Sequence, residues 1–241
     1  RRPPISTLFP YTTLFRSVEF SGDTMVLTLK NRGVFLGVTP YYDNAGNLVF
    51  RFNNPPAVSG NSLNNVKIVI DPGHGGNDTG ALGYLGAYPE KVVNYAIAGK
   101  LASILQSRGA TVVMYDTRNT TISLEQRANM AAAADPLLFI SVHSNSSAYN
   151  RAAVGSEAYY FNPFSYALSQ LSAGNMANAL NTVNRGGKFG YYYVTRTMQY
   201  PAILVETGFM YNQTEYSKLV NSAYQNNIAT GLANSVASYL R

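Results

Sequence analysis

The chain contains two histidines, and each lies where an apolar run ends. His74 follows the run 67–70 through a glycine-rich turn, and His143 closes the run 137–143. A glutamate, Glu206, ends a third run of the same kind. Imidazoles and carboxylates bind catalytic metal ions and transfer protons, so these three residues predict a reactive site if the runs end at one place in the fold.

A second glutamate could complete a set of metal ligands. Pro89 and Glu90 open an amphipathic pattern that predicts a helix to about residue 108, and its first turn can face the ends of the strands. His74, Glu90 and His143 would then suit Zn²⁺, with the fourth position left to water. The alternatives are a glutamate stabilised by the helix dipole and histidines that are structural, hydrogen-bonded side chains.

Two interpretations of Glu206 are equally compatible with its position in the sequence. A carboxylate beside a metal-bound water can act as a general base and later protonate a leaving nitrogen. The alternative is a structural carboxylate that accepts hydrogen bonds from nearby backbone N–H groups, such as those of Gly208 and Phe209. If Glu206 is structural, Glu157 is the first alternative for the base.

Strand and helix patterns alternate from residue 67 onward, which predicts an α/β domain over residues 66–241. We expect a mostly parallel, twisted sheet flanked by helices, because the apolar runs are typical of strands buried on both faces. The carboxyl ends of parallel strands meet at one edge, where α/β domains form their sites. Further helices are predicted at 123–134, 165–181, 214–219 and 223–240, and further strands at 111–115, 156–161 and 191–196.

The sequence before this domain divides into three predicted segments. Residues 18–58 contain short strand patterns separated by turn signals, typical of a truncated β-rich segment, and residues 59–65 have the composition of a linker. Residues 7–17 match the conceptual translation of a sequencing-library adapter, and residues 1–6 match its upstream part except at Ile5. We therefore expect residues 1–17 to be an artefact that replaces the true N-terminus.

Composition restricts the classes of function. Without the three arginines of residues 1–17, the formal net charge falls from +6 to +3, and no basic stripe suggests nucleic-acid binding. The absence of cysteine excludes disulfides and thiolate metal sites. No apolar run is long enough to span a membrane, and no signal peptide is visible.

Four motifs carry a family resemblance: DPGHGG at 71–76, the pair Glu90-Lys91, ISVHSN at 140–145 and PAILVETGF at 201–209. In this order and spacing they resemble the zinc-dependent N-acetylmuramoyl-L-alanine amidases, which trim bacterial peptidoglycan. The resemblance covers residues 66–241. It implies that His74, Glu90 and His143 bind Zn²⁺ and that Glu206 is catalytic. Three arginines also fall where relatives often carry arginine, without an assigned role: Arg118, Arg127 and Arg196.

The resemblance implies hydrolysis of the amide bond between N-acetylmuramic acid and L-alanine. The expected partner is peptidoglycan, and we expect a monomer that is secreted or associated with the cell wall. Only 62 residues separate His143 from Glu206, which leaves little room for the helical insert that covers the zinc in several Gram-negative members. The alternatives are a zinc peptidase or deacetylase, and an inactive module that only binds the cell wall.

Overall fold

The computed structural model describes residues 15–30, 35–84 and 86–241. Its strands are β1 (Phe15–Ser21), β2 (Thr24–Leu29), β3 (Val38–Tyr42), β4 (Leu48–Phe52), β5 (Lys67–Pro72), β6 (Thr111–Met114), β7 (Leu138–Asn145), β8 (Ser156–Tyr160), β9 (Asn184–Phe189) and β10 (Ala202–Phe209). Its α-helices are α1 (Glu90–Ser107), α2 (Leu124–Ala134), α3 (Tyr166–Leu180), α4 (Gln213–Leu219) and α5 (Ser222–Tyr239). Short 3₁₀ helices lie at Pro163–Ser165 and Tyr193–Thr195.

Six strands form the central sheet, in the order β6-β5-β7-β10-β8-β9. All neighbours are parallel except β10 and β8, which run antiparallel. The predicted α/β fold with a mostly parallel sheet is confirmed. The three strands predicted to carry the site residues, β5, β7 and β10, are adjacent and parallel, so their carboxyl ends share one edge.

Side chains alternate between two apolar layers on the faces of this sheet. Ile68 and Ile70 point into the larger cluster, which α1, α3 and α5 cover, whereas Val69 points into a smaller cluster on the other face. This alternation is the period of a strand buried on both faces. The smaller cluster lies under α2 and the segment 190–200, which contributes Val194 and Tyr200. These two elements border the site.

The start of α2 follows from its sequence. The Ser123 hydroxyl accepts a hydrogen bond from the backbone N–H of Gln126, and the Gln126 side chain accepts one from the backbone N–H of Ser123. This reciprocal capping box satisfies two N–H groups that a helix start leaves free. It confirms the predicted beginning of α2 and fixes the position of Arg127 one turn later.

The strand predicted at 191–196 is wrong. Tyr193–Thr195 is instead a 3₁₀ helix, and the edge strand β9 lies earlier, at Asn184–Phe189. Consecutive tyrosines have high β propensity, but Val194 and Thr195 are buried against the sheet face and α2, and this packing overrides propensity. Strand β9 contains two glycines and no apolar alternation, so its sequence gives no strand pattern.

Two antiparallel hairpins, β1–β2 and β3–β4, precede the sheet. The second docks on the α/β domain. The Val38 backbone N–H donates to the Met198 carbonyl at 2.8 Å, and the Asn53 side chain donates to the Gln199 carbonyl at 2.6 Å. The Arg51 guanidinium also forms two hydrogen bonds with Asp135 at the end of α2. The β3–β4 hairpin thus bridges the two elements that border the site.

The predicted boundaries of the N-terminal segments fall partly outside the described residues. Residues 1–14 of the adapter-like segment are not among them, and β1 begins at Phe15, inside that segment. The division into an artefact, a β-rich segment, a linker and a catalytic domain stays a prediction. None of the helices in the described part of the chain is long and apolar enough to cross a membrane.

Candidate active site

His74, Glu90 and His143 meet at the carboxyl edge of the sheet. Glu90 Oε1 lies 3.2 Å from His74 Nε2 and 3.1 Å from His143 Nδ1, and one ligand atom from each residue lies within 4.8 Å of the other two. Glu90 is buried, while the side chains of His74 and His143 are 24% and 21% exposed. The cluster is therefore anchored in the protein and open to solvent on one side.

The geometry of this cluster fits a metal ion. Ligand atoms about 2.0–2.1 Å from a tetrahedral zinc are roughly 3.3–3.4 Å apart, close to the two Glu90–histidine separations. Metal-binding histidines usually donate their second ring N–H to a carboxylate. His74 has this arrangement, because its Nδ1 lies 2.9 Å from Asp78 Oδ2 while its Nε2 faces Glu90. The two imidazoles and the carboxylate could thus hold one ion.

The electrostatics of the cluster favour a cation. Burial alone would raise the pKa of Glu90, but hydrogen bonds and charges from His143 and His74 outweigh it and hold the pKa well below its usual range. Burial lowers the pKa of His74, yet Glu90 and then Asp78 outweigh it and raise the pKa to about 8. Positive charge is therefore stabilised here, either as a proton on His74 or as a bound metal ion.

The loop that presents His74 is held by a buried arginine. His74 has a φ of 64°, in the left-handed region that residues other than glycine rarely adopt. Arg127 Nη2 donates to the His74 carbonyl at 2.7 Å, and its Nη1 donates to the Pro72 carbonyl at 2.7 Å and to Asp71. Ser141 donates to the other Asp71 oxygen at 2.8 Å. This network joins α2, β5 and β7 beneath the histidine loop.

Removing Arg127 should therefore cost much of the domain's stability. Both Arg127 and Asp71 are buried, and Arg127→Met would leave the Asp71 charge without its partner. We expect a loss of about 3–5 kcal/mol in the free energy of unfolding, measured by urea denaturation. Adding Asp71→Asn should recover part of that loss, because the buried charge is then removed. If Arg127→Met lowers the free energy of unfolding by less than about 1 kcal/mol, which is the contribution of a surface ion pair, this role is contradicted.

Two glycines leave space for the cluster. A Cβ at Gly73 would lie 2.3 Å from the His143 imidazole. A Cβ at Gly80, whose φ is 63°, would lie 2.6 Å from the His74 ring and 2.7 Å from Glu90 Oε2. All three distances are far inside van der Waals contact, so glycine is required at both positions for the two rings and the carboxylate to converge.

Glu206 lies beside the cluster with one oxygen unpartnered. Its Oε2 is buried and has no hydrogen-bond partner among the described residues. Of the two N–H groups named for the structural alternative, Gly208 and Phe209, that of Phe209 donates to Glu215 at 2.7 Å instead. Burial, and then the charges of Glu90 and Glu157, raise the pKa of Glu206 well above its usual range. A carboxylate in this state is a stronger base than an exposed one.

Glu157, the alternative base, is in the opposite state. It is buried and accepts hydrogen bonds from Asn145, Tyr159 and Arg185, each at 2.8 Å, and from Lys188. Burial would raise the pKa of Glu157, but hydrogen bonds from Lys188, Arg185 and Tyr159 outweigh it and lower the pKa. Its oxygens are occupied, so Glu157 is poorly placed to accept a proton from a substrate or water.

A cleft of about 310 Å³ opens beside the cluster. Its lining includes both histidines and Glu206, apolar side chains at Ile122, Val194 and Leu204, and aromatic rings at Tyr192 and Tyr193. One wall is the start of α2, and the other is the segment 190–200. The cleft offers a partly apolar surface next to an unpartnered carboxylate and a candidate metal position, which is typical of an enzyme site.

Sequence reasoning missed several supporting residues. Asp78 orients His74 from four positions further along the chain, and Asn94 and Ser144 donate hydrogen bonds to Glu90 Oε1 at 3.2 Å. Asp71 belongs to a motif that the sequence singled out, but its partner Arg127 is 56 residues away. The Asp78 and Asn94 contacts, each at a spacing of four residues from the side chain they support, were accessible from sequence.

Comparisons with known proteins agree with this fold and site. The family model for N-acetylmuramoyl-L-alanine amidase matches residues 68–238. The chain is 37% identical over 202 residues to N-acetylmuramoyl-L-alanine amidase LytC of Bacillus subtilis, covering 78% of this chain and 40% of LytC. This chain therefore spans well under half the length of that relative.

Solved structures show the same architecture. The catalytic domain of CwlV, an N-acetylmuramoyl-L-alanine amidase from Bacillus (Paenibacillus) polymyxa var. colistinus, matches with a TM-score of 0.69 and 35% identity, covering 73% of this chain and 98% of that one. The N-acetylmuramoyl-L-alanine amidase of Clostridium difficile 630 matches with a TM-score of 0.69 and 34% identity, covering 75% and 98%.

An α/β domain with two imidazoles and two carboxylates at the carboxyl edge of its sheet defines a class of hydrolytic enzyme domain. Within that class, this chain belongs to the N-acetylmuramoyl-L-alanine amidase family. The predicted family resemblance is confirmed. The β3–β4 hairpin lies outside the residues that the family model matches.

Proposed function

We propose that this protein hydrolyses the amide bond between the lactyl group of N-acetylmuramic acid and the first L-alanine of the peptidoglycan stem peptide, with Zn²⁺ held by His74, Glu90 and His143. The observation that carries the proposal is the pairing of this cluster with Glu206, whose buried oxygen has no partner. A module that only binds the wall needs neither the cluster nor an unpartnered carboxylate. The substrate is a wall polymer, so the proposed location is extracytoplasmic.

When bound, Zn²⁺ would polarise the scissile carbonyl and lower the pKa of the attacking water. Glu206 accepts a proton from that water as oxygen adds to the carbonyl carbon. It then returns the proton to the alanine nitrogen as the C–N bond breaks. The products are a muramyl lactate carboxyl group and a stem peptide with a free amino terminus.

Defined muropeptides separate this activity from its alternatives. Purified protein is incubated with an N-acetylmuramyl tripeptide, and the products are identified by mass spectrometry. The proposal predicts N-acetylmuramic acid plus the intact tripeptide. Cleavage between amino acids would indicate a peptidase instead, and loss of an acetyl group would indicate a deacetylase.

Zinc binding should depend on pH. With the pKa of His74 raised to about 8, this imidazole is mostly protonated at pH 7 in the metal-free protein, whereas zinc requires it neutral. The apparent zinc affinity should rise about tenfold per pH unit up to pH 8 and then level off. Calorimetry in two buffers of different ionisation enthalpy should show release of about one proton at pH 7.

Asp78→Asn provides the control for this prediction. The substitution removes one of the two carboxylates that raise the pKa of His74, so the pH at which affinity levels off should fall. Affinity should also weaken by about 10- to 100-fold, because the histidine loses its orienting partner. A wild-type zinc affinity that is constant between pH 6 and pH 8 would contradict the proton linkage.

A further inference from the structure

Arg196 is a positioned cation at the rim of the cleft. Its guanidinium carbon lies 4.6 Å from the centre of the Tyr193 ring and 5.6 Å from that of Tyr191. Tyr193 lines the cleft together with Glu206, so Arg196 is one ring away from the lining. Stacking on aromatic faces leaves the edge of a guanidinium, with its N–H groups, free to bind a ligand.

The guanidinium group of Arg196 makes no hydrogen bond or ion pair within the part of the chain that the structure describes. None of its side-chain N–H groups donates a hydrogen bond there, and the side chain is exposed. Two other arginines, one lining the cleft and one stacked on Tyr95, are already engaged. Arg127 donates to three backbone carbonyls and to Asp71, and Arg118, which lies over Tyr95, forms two hydrogen bonds with Asp116.

The backbone that carries Arg196 is fixed on both sides. Before it, Val194 and Thr195 are buried. After it, the β3–β4 hairpin binds the Met198 and Gln199 carbonyls. Tyr191, the outer stacking ring, packs edge-on against Phe161 at 5.2 Å. A cation whose position is set before binding loses less conformational freedom when it pairs with a ligand.

We propose that Arg196 binds the α-carboxylate of the second residue of the stem peptide and selects substrates in which that group is not amidated. This inference rests on the proposed function. In peptidoglycan the residue after L-alanine is a D-glutamyl residue linked through its γ-carboxyl group, so its α-carboxyl group is either free or amidated. The alanine spans about 3.3–3.6 Å of extended chain and the α-carboxylate follows on the next residue, so it lies beyond the scissile bond, where it suits a cation just outside the cleft lining. A guanidinium matches a carboxylate with two parallel hydrogen bonds.

Two substrates that differ in this one group test the inference. They are N-acetylmuramyl-L-alanyl-γ-D-glutamyl-L-lysine and the same compound with the α-carboxyl group amidated. Arg196→Gln should lower kcat/KM by about 10- to 100-fold for the free acid and by less than about threefold for the amide. Arg196→Lys should fall between wild type and Arg196→Gln, because it keeps the charge but loses the planar fork. Arg118→Gln, which removes a stacked arginine outside the cleft, should leave both values unchanged.

The outcomes are separable. Equal losses on both substrates in Arg196→Gln would show a purely structural role, and unchanged values would show none; either result overturns the inference. If the wild type cleaves neither substrate, the proposed function fails. The role of Arg196 can then still be decided by measuring how tightly the two compounds bind to Glu206→Gln and to the Glu206→Gln, Arg196→Gln double variant. If Glu206→Gln prefers the free acid and the double variant does not, the inference is supported. If Glu206→Gln shows no preference for the free acid, the inference is refuted.

Discussion

Glu206→Gln is expected to keep the fold and the bound zinc while losing about 100- to 10,000-fold in turnover, the usual contribution of general acid and base catalysis. The amide preserves the size of the side chain but cannot accept the proton. The loss should lie toward the upper end of this range, because the proposed mechanism uses the same carboxylate in both proton transfers. The measurements are the rate of amide cleavage and the zinc content of the same sample.

Glu157→Gln is the matched control for this substitution. Glu157 lies directly opposite Glu206 on the neighbouring strand but is saturated by hydrogen bonds. Its amide variant should lose stability, since Arg185 and Lys188 lose their partner, and should keep most of its turnover once folded. If Glu206→Gln holds full zinc and cleaves within a few-fold of wild type, Glu206 is structural. A large loss of turnover in a folded Glu157→Gln would then assign the base to Glu157.

His74→Ala and His143→Ala are each expected to lose most of the bound metal and, with it, activity. Each variant retains only one imidazole and Glu90, and two protein ligands hold zinc much less tightly than three. Elemental analysis of the purified variants gives the metal content, and circular dichroism shows whether the fold persists. Asp116→Asn, which changes an exposed carboxylate, should retain one zinc per chain.

Stoichiometric zinc in both histidine variants would reject the ligand assignment.

The sequence was sufficient to predict that the candidate site residues meet at one edge of the sheet. The apolar runs that end near His74, His143 and Glu206 bring these residues together only if they form parallel strands. The corresponding strands β5, β7 and β10 are parallel. The alternation of strand and helix patterns predicts parallel strands, and Pro89 and Glu90 predict the helix start. Both signals are visible in a single sequence. The convergence of Glu90 with both histidines follows from these elements.

What could not be predicted depends on contacts between distant segments. The Arg127–Asp71 pair joins residues 56 apart, and nothing local to either residue indicates the other. The segment 191–196 is turned by burial of Val194 against the sheet, which overrides the strand propensity of three tyrosines. The contacts of the β3–β4 hairpin with Met198, Gln199 and Asp135 likewise join distant segments.

The most direct measurement of the central claim is digestion of purified peptidoglycan by the intact protein before and after removal of metal. New N-terminal alanine reports cleavage of the muramyl–alanine amide, and reducing sugar ends report cleavage of the glycan. The account predicts new N-terminal alanine without new reducing ends, loss of this release in a chelator, and its return when Zn²⁺ is added back. Two results would contradict the account: new N-terminal alanine that still forms with the fully metal-free protein, or products with new reducing ends and no new N-terminal alanine.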